Sequence, residues 1–67
     1  MRNRRRDMLQ GLPSDAVMLL SVINTKLRDH YSNLQELCED LDISRKELEE
    51  KLDVIDYSYD EELNQFV

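Results

Sequence analysis

Residues 37–55 decide the fold, and their sequence is LCEDLDISRKELEEKLDVI. Leucine and isoleucine recur three or four positions apart on both sides of Asp42-Ile43, which is the spacing of two amphipathic helices joined by a tight turn. Cys38 supplies a small residue where two such helices cross. Asp42 stands where glycine is usual, and aspartate tolerates the left-handed conformation better than most residues. The stretch therefore predicts a helix-turn-helix-like pair.

Polar residues mark where both helices begin. The segment Ser32-Asn33-Leu34-Gln35 has the spacing of a capping box, in which serine and glutamine satisfy two free backbone N–H groups. The segment Ser44-Arg45-Lys46-Glu47 repeats that spacing with glutamate. We predict that Ser32 and Ser44 are the N-caps of the two helices.

A longer amphipathic helix precedes this pair. Ser14 or Asp15 can cap it, because each has an oxygen that accepts a hydrogen bond from a free amide, and Pro13 disfavours helix before that point. The helical period runs from Ala16 to about Tyr31. Apolar residues lie on two sides of this helix, which is typical of a central bundle helix or of one that meets a partner.

Beyond the third helix the pattern changes from helical to alternating. Residues 57–59 and 65–67 are predicted as two strands, and the polar residues 60–64 suit a hairpin loop with Asn64 in the left-handed conformation. The alternative is a fourth short helix over residues 61–66. We predict a mostly α fold, a three-helix, helix-turn-helix-like domain with a wing-like C-terminal β-hairpin.

Length and charge divide the chain into two parts. Its 67 residues and 8.0 kDa allow one small domain, which we place at residues 12–67. Residues 1–11 are predicted to be a flexible basic arm. Four of the nine basic residues lie in it, namely Arg2, Arg4, Arg5 and Arg6. The chain after residue 6 has five basic residues against all fifteen carboxylates, a net charge of −10, which repels nucleic acid and anionic membranes.

Composition also excludes several classes of protein. A single cysteine cannot form an intramolecular disulfide, so a disulfide scaffold is excluded and a reducing compartment is indicated. No run of about 18 apolar residues is present, and no apolar segment of a secretory signal follows the basic start. We expect a cytoplasmic protein that spans no membrane.

Catalytic and metal-binding chemistry finds little support among the residues. Cys38 and His30 are of the side-chain types whose ordinary pKa is nearest neutral pH, but Cys38 lies on a predicted inner face and His30 near a helix C-terminus, where a partly cationic imidazole is favourable. One histidine and one inward cysteine cannot complete a four-ligand zinc site. The acidic residues around 60–62 lack the spacing of a calcium loop. We predict no enzyme activity and no cofactor.

Three polar residues border the apolar face of the first helix. Ser21, Asn24 and Arg28 recur at i, i+3 and i+7. Polar groups at the margin of a core need hydrogen-bond partners or solvent. One interpretation is structural, with Asn24 and Arg28 bound to helix-end carbonyls or to a carboxylate such as Asp40 or Asp56. The other interpretation is a recognition stripe for a peptide or a small anion.

The first helix also has a second apolar side. Met18 and Val22 lie nearly opposite the inner face and can form one patch with Leu12. In one interpretation the arm folds over this patch through Met8 and Leu9 and completes the core. In the other, two chains meet there as a two-fold dimer, for which one self-complementary patch is enough.

The stretch from Leu12 to Phe66 resembles a narrower group of proteins. The resemblance is carried by Leu-Pro-x-Asp (12–15), Met-Leu-Leu-Ser (18–21), Asn-x-Lys-Leu-Arg-Asp-x-Tyr (24–31), Leu-Cys-Glu-Asp-Leu (37–41) and Tyr-x-Tyr-Asp-x-x-x-Asn-x-Phe (57–66). These segments are similar to a family of very short bacterial proteins catalogued as a domain of unknown function, family 4250. The resemblance implies no activity. Ala16 stands where that pattern often has proline, and the arginine-rich arm lies outside it.

A second methionine lies within the arm. Met8 begins Met-Leu-Gln-Gly-Leu-Pro, close to the segments that carry the resemblance. We hypothesise that translation starts at Met8, so that residues 1–7 are not part of the native product. An N-terminal peptide containing Asn3 or Asp7, found by mass spectrometry of the protein from its natural host, would contradict this.

The sequence favours a small non-enzymatic protein-interaction module that forms a homodimer or binds a protein partner. The alternative is a DNA- or RNA-binding regulator of the helix-turn-helix type that uses the arginine-rich arm for affinity. The third helix, which would enter the DNA groove in such a regulator, has more acidic than basic residues: Glu47, Glu49, Glu50 and Asp53 against Arg45, Lys46 and Lys51. Because these carboxylates would meet phosphates, we rank the interaction module first.

Overall fold

The computed structural model describes residues 12–67. Three helices, α1 (Ala16–Asp29), α2 (Leu34–Leu41) and α3 (Arg45–Asp53), precede two short strands, β1 (Tyr59–Asp60) and β2 (Gln65–Phe66). The strands pair antiparallel, with Tyr59 opposite Phe66. The mostly helical fold with three helices and a C-terminal hairpin is confirmed, and residues 61–66 form the hairpin rather than a fourth helix. The predicted arm of residues 1–11 lies outside the described residues.

One apolar cluster holds the three helices and the hairpin together. Its buried members are Leu19, Ile23 and Leu27 of α1, Leu34, Leu37 and Cys38 of α2, Ile43 of the turn, Leu48 and Leu52 of α3, and Phe66 of β2. The four-residue repeat in α1 places its three members on one face, as the sequence pattern requires. Each fully buried leucine, isoleucine or phenylalanine contributes about 1.5–3 kcal/mol through loss of contact with water. The hairpin supplies Phe66, which is 1% exposed, so it is part of the core.

The N-cap of α2 differs from the predicted one. Asn33 caps the helix, because its side-chain oxygen accepts a hydrogen bond from the Glu36 N–H at 2.8 Å. Glu36 reaches back and accepts from the Ser32 N–H at 3.0 Å. The capping box therefore lies one residue later than the predicted pair of Ser32 and Gln35, and Gln35 instead bonds to Glu39 one turn on. That prediction was wrong because two overlapping segments both have the capping-box spacing.

The predicted start of α3 is confirmed, and α1 begins without a side-chain cap. The Ser44 hydroxyl accepts from the Glu47 N–H at 3.2 Å. Asp15 is the N-cap residue of α1, but its side chain makes no capping hydrogen bond. The helix ends at Asp29, two residues before the predicted end, and His30 is its C-cap.

Helices α2 and α3 end in the same backbone arrangement. At the end of α2 the Ile43 N–H bonds to the Cys38 carbonyl, and the Asp42 N–H bonds to the Glu39 carbonyl. These bonds form a Schellman motif, whose left-handed residue is Asp42 at φ 58°. The end of α3 repeats it with Asp56 at φ 66°. Aspartate therefore occupies both positions where glycine is the unstrained choice.

Candidate functional site

Asn24 of the predicted polar stripe is used to fix the hairpin. Its Oδ1 accepts from the Phe66 N–H at 2.8 Å, and its Nδ2 donates to the Phe66 carbonyl at 3.1 Å. The side-chain amide thus pairs with β2 as the backbone of a third strand would. The partner predicted for Asn24 was a helix-end carbonyl or a carboxylate, so that prediction was wrong. Both amide atoms of Asn24 are occupied by the fold.

Asn64 makes the second attachment of the hairpin to α1. Its Nδ2 donates to the carbonyls of Leu27 and Tyr31, at 3.2 and 3.0 Å, and its Oδ1 accepts from the Tyr59 hydroxyl at 2.6 Å. The Tyr59 hydroxyl also accepts from the Leu34 N–H at 3.1 Å, which satisfies a free amide in the first turn of α2. Asn64 has φ 54°, so its predicted left-handed conformation is confirmed. One tyrosine hydroxyl thereby connects the hairpin turn to α2.

The other two residues of the stripe lie at the surface. Ser21 and Arg28 are exposed on α1. The Arg28 Nε donates to an Asp29 carboxylate oxygen at 2.9 Å. This hydrogen bond lowers the pKa of Asp29 and raises that of Arg28 from their ordinary values. The predicted carboxylate partners Asp40 and Asp56 are not the ones Arg28 uses. Of the three residues of the stripe, Asn24 is therefore hydrogen-bonded within the fold, whereas Ser21 and Arg28 are exposed on the surface of α1.

The three residues of the candidate self-association patch, Leu12, Met18 and Val22, differ in their surroundings. Leu12 is half-buried and packs against the core cluster. Met18 is 58% exposed on the opposite side of α1 from the core, and Val22, one turn later, is half-buried. Met18 and Val22 therefore form the part of this patch that faces outward, and we call these two residues the α1 outer patch. Met8 and Leu9, considered as its cover, lie outside the described residues.

Neither Cys38 nor His30 has the surroundings of a catalytic pair. Cys38 is buried among the core side chains, and burial raises the pKa of its thiol, an effect that the nearby Arg45 charge partly offsets. His30 is exposed at the end of α1. A buried thiol with a raised pKa is a poor nucleophile, because the reactive species is the thiolate.

The acidic turn is a structural element of the hairpin. The Asp60 side chain accepts hydrogen bonds from the N–H groups of Glu62 and Leu63, at 2.8 and 3.1 Å. This is the local side-chain-to-backbone bonding that favours aspartate in turns. Within residues 12–67, no group of three or more histidine, cysteine or acidic side chains is arranged to hold a metal ion.

Helix α3 presents a predominantly acidic surface next to the hairpin. Arg45 makes two contacts within the domain. Its Nε donates to Glu49 at 3.1 Å, and its guanidinium lies 5.6 Å from the centre of the Tyr59 ring. A shallow groove of about 350 Å³ runs between this helix and β1. Its lining consists of Lys46, Glu49, Glu50 and Asp53 from α3 and Tyr57, Ser58 and Tyr59 from the other side. The four candidate nucleic-acid residues, Arg2, Arg4, Arg5 and Arg6, lie outside the described residues.

Across residues 12–67, every helix is too short or too polar to cross a membrane.

The hydrogen bonds by which Tyr59 and Asn64 join the hairpin to α1 and α2 were not predicted from the sequence. Both residues lay in the segments that carried the family resemblance, and a polar residue at the margin of a core is itself a signal for a hydrogen bond across the fold.

Comparison with known proteins places the chain in a family. No curated protein and no solved structure matches it. A family model described as Domain of unknown function (DUF4250) matches residues 13–66, which include all three helices and both strands. The match covers the segments that hold the hairpin to the helices and stops short of the arginine-rich arm. The chain is a member of the DUF4250 family.

Proposed function

We propose that the protein is a small non-enzymatic protein-interaction module of the bacterial cytoplasm, and that it forms a homodimer through the α1 outer patch. The observation that carries the proposal is the position of Met18, which is 58% exposed on the side of α1 that faces away from the core. Val22 extends the apolar surface by one turn. The free, buried Cys38 supports a reducing compartment.

A two-fold dimer suits such a surface for geometric reasons. An isologous interface uses the same patch on both chains, so a single apolar strip along one helix is sufficient. A domain of this size buries a smaller share of its surface than a larger one, so additional burial has a large relative effect on its stability. Packing of α1 against its symmetry mate would cover Met18 on both chains at once.

Charge favours this proposal over binding of nucleic acid by the folded domain. Residues 12–67 contain five basic side chains and fourteen carboxylates. On α3, Arg45 is engaged by Glu49 and by the Tyr59 ring, while Glu47 and Glu50 are exposed. A helix with this surface would bring carboxylates against phosphates, which opposes binding. The placement of Cys38 and His30 likewise supports a role without catalysis.

Light scattering on the full chain tests the proposal. We expect a mass of twice the 8.0 kDa chain at high protein concentration. Met18→Glu places a charge in the interface and should return the mass to that of one chain. Val54→Glu is the matched control, because Val54 is 80% exposed beyond the end of α3 and lies outside the patch. A monomer at about 1 mM protein, or a dimer that survives Met18→Glu in a folded variant, would contradict the proposed interface.

A further inference from the structure

The outer edge of β1 has the geometry of a strand that can accept another. Ser58 and Val67 exchange both backbone hydrogen bonds, at 3.0 and 2.9 Å, so the next pair, Tyr59 and Phe66, is a non-hydrogen-bonded pair. In such a pair the N–H and C=O groups point away from the partner strand. Phe66 directs its two groups to Asn24, and Tyr59 directs its own to the opposite edge. Within residues 12–67 the sheet has two strands, so β1 has a neighbour on one side.

The segment that contains this edge forms one wall of the groove beside α3. Tyr57, Ser58 and Tyr59 line it on the strand side. The opposite wall is helix α3, whose backbone N–H and C=O groups bond within the helix, so this wall offers side chains only. An extended peptide laid in the groove would gain main-chain hydrogen bonds from the Tyr59 edge and side-chain contacts from α3, which is the arrangement of β-strand addition.

The charges of the helix wall select the chemistry of that peptide. The groove has three carboxylates, of Glu49, Glu50 and Asp53, against the single ammonium of Lys46. Glu49 is bonded to Arg45, which leaves Glu50 and Asp53, both exposed, to face an incoming side chain. They lie three residues apart on one face of the helix, so they can meet two basic residues of an extended segment.

We propose that the groove between α3 and the outer edge of β1 binds an extended segment of a partner protein that carries arginine or lysine at alternate positions. The segment adds as a third strand beside Tyr59, and its basic side chains contact Glu50 and Asp53. The inference rests on the proposed interaction-module function and adds a second surface to it, separate from the α1 outer patch.

Titration of the full chain with two synthetic peptides tests this. One is Thr-Arg-Val-Arg-Val-Arg-Thr, and the other has glutamate at the three arginine positions. Nuclear magnetic resonance should show saturable binding of the arginine peptide, with a shifted and exchange-protected Tyr59 amide, because that N–H gains a partner. Binding of the glutamate peptide with equal affinity, or binding of the arginine peptide without protection of Tyr59, would overturn strand addition in this groove.

Charge reversal separates the groove from general attraction to an acidic protein. Glu50→Lys should weaken binding of the arginine peptide about tenfold, as expected for the loss of one charge-assisted contact. Glu47→Lys is the matched control, because it makes the same change on the same helix at an exposed residue outside the groove, and it should change the affinity less than twofold. Equal weakening by both variants would show that the attraction is not specific to the groove.

The same protein samples show which segment fills the groove and, separately, whether the proposed α1 dimer forms. If the full chain binds the peptide only after Arg2, Arg4, Arg5 and Arg6 are all changed to serine, the groove is filled by the chain's own basic segment, and the assignment to a partner protein is wrong. Light scattering of each sample reports self-association separately. A dimer that binds no peptide overturns this inference alone, whereas a monomer that binds it overturns the α1 interface alone.

Discussion

The side chain of Asn24 and the backbone of Phe66, 42 residues apart, are joined by a reciprocal pair of hydrogen bonds. Both polar groups of the amide are used, and both polar groups of the Phe66 backbone are satisfied. The pair therefore replaces a third strand at the edge of β2 and holds the buried Phe66 ring against α1. It gives a structural role to the one member of the polar stripe that lies partly buried.

Asn24→Leu should destabilise the domain strongly. The leucine has nearly the same size but leaves the Phe66 N–H and C=O without partners, and a lost pair of this kind costs about 3 kcal/mol. For a domain of this size that corresponds to a fall in Tm of roughly 12–24 °C. Thermal denaturation followed by circular dichroism measures it. Ser21→Ala, one turn earlier and exposed, is the control and should change the free energy of unfolding by less than about 0.5 kcal/mol. Similar effects of the two substitutions would refute the assigned role.

Substitution of Asn64 separates backbone strain from side-chain bonding. Asn64→Gly keeps the left-handed backbone at φ 54° and removes three side-chain hydrogen bonds, so it should cost about 2 kcal/mol. Asn64→Ala removes the same bonds and adds about 1 kcal/mol of strain at positive φ. Urea denaturation should therefore rank stability as native, then glycine, then alanine. An Asn64→Ala variant that is as stable as the Asn64→Gly variant, or more stable, would contradict the strain argument.

Asp56→Gly should stabilise the domain. Asp56 closes the Schellman motif of α3 at φ 66°, where glycine avoids the steric cost, and the change also removes a negative charge from the negative end of the helix dipole. The gain is about 0.5–1 kcal/mol, because glycine also loses more backbone entropy on folding. Glu50→Gly, inside the same helix, should instead cost about 1 kcal/mol. A shift of Tm in the same direction for both would show that the motif is not the cause.

Cys38 should make stability fall at high pH. Burial raises the pKa of its thiol above the ordinary value of 9.0, so the folded state holds this proton more tightly than the unfolded state. The contribution is fully present below about pH 9, which is the unfolded pKa, and is lost as the pH rises through the higher folded pKa. The difference in unfolding free energy between the native protein and Cys38→Ala, measured by urea denaturation from pH 7 to 10, should shrink above pH 9. A difference that stays constant would contradict burial of the thiol.

Salt should act in opposite directions on the two candidate interactions. Self-association of acidic chains should strengthen with salt, because screening reduces their repulsion. Any binding of duplex DNA through Arg2, Arg4, Arg5 and Arg6 should weaken, with a slope of log K against log salt of about −3.6 for four neutralised phosphates. Fluorescence anisotropy of labelled DNA measures the second effect, and changing the four arginines to serine should abolish it. Sequence-selective DNA binding that survives this change would favour the regulator over the interaction module.

The helices were predictable because each depends on local information. The leucine spacing around Asp42 and the serine cap at Ser44 both act within one helical turn, and the structure confirms both. The cap of α2 was assigned one residue early because Ser32 and Asn33 compete for it and only three-dimensional geometry decides between them. The partner of Asn24 could not be predicted, because a contact over 42 residues depends on how the hairpin docks. The same holds for the groove, whose two walls meet only in the folded domain.

The hydrogen bond between Phe66 and Asn24 also bears on amide hydrogen exchange. Amides in short, exposed segments usually exchange quickly, because such segments open locally. The Phe66 amide is instead bonded to Asn24, and its ring lies in the same cluster as residues of all three helices. We expect this amide to open only together with the cluster, so its exchange rate should follow the global unfolding equilibrium. Exchange at this one amide would then measure, in the native state, how cooperatively the domain unfolds.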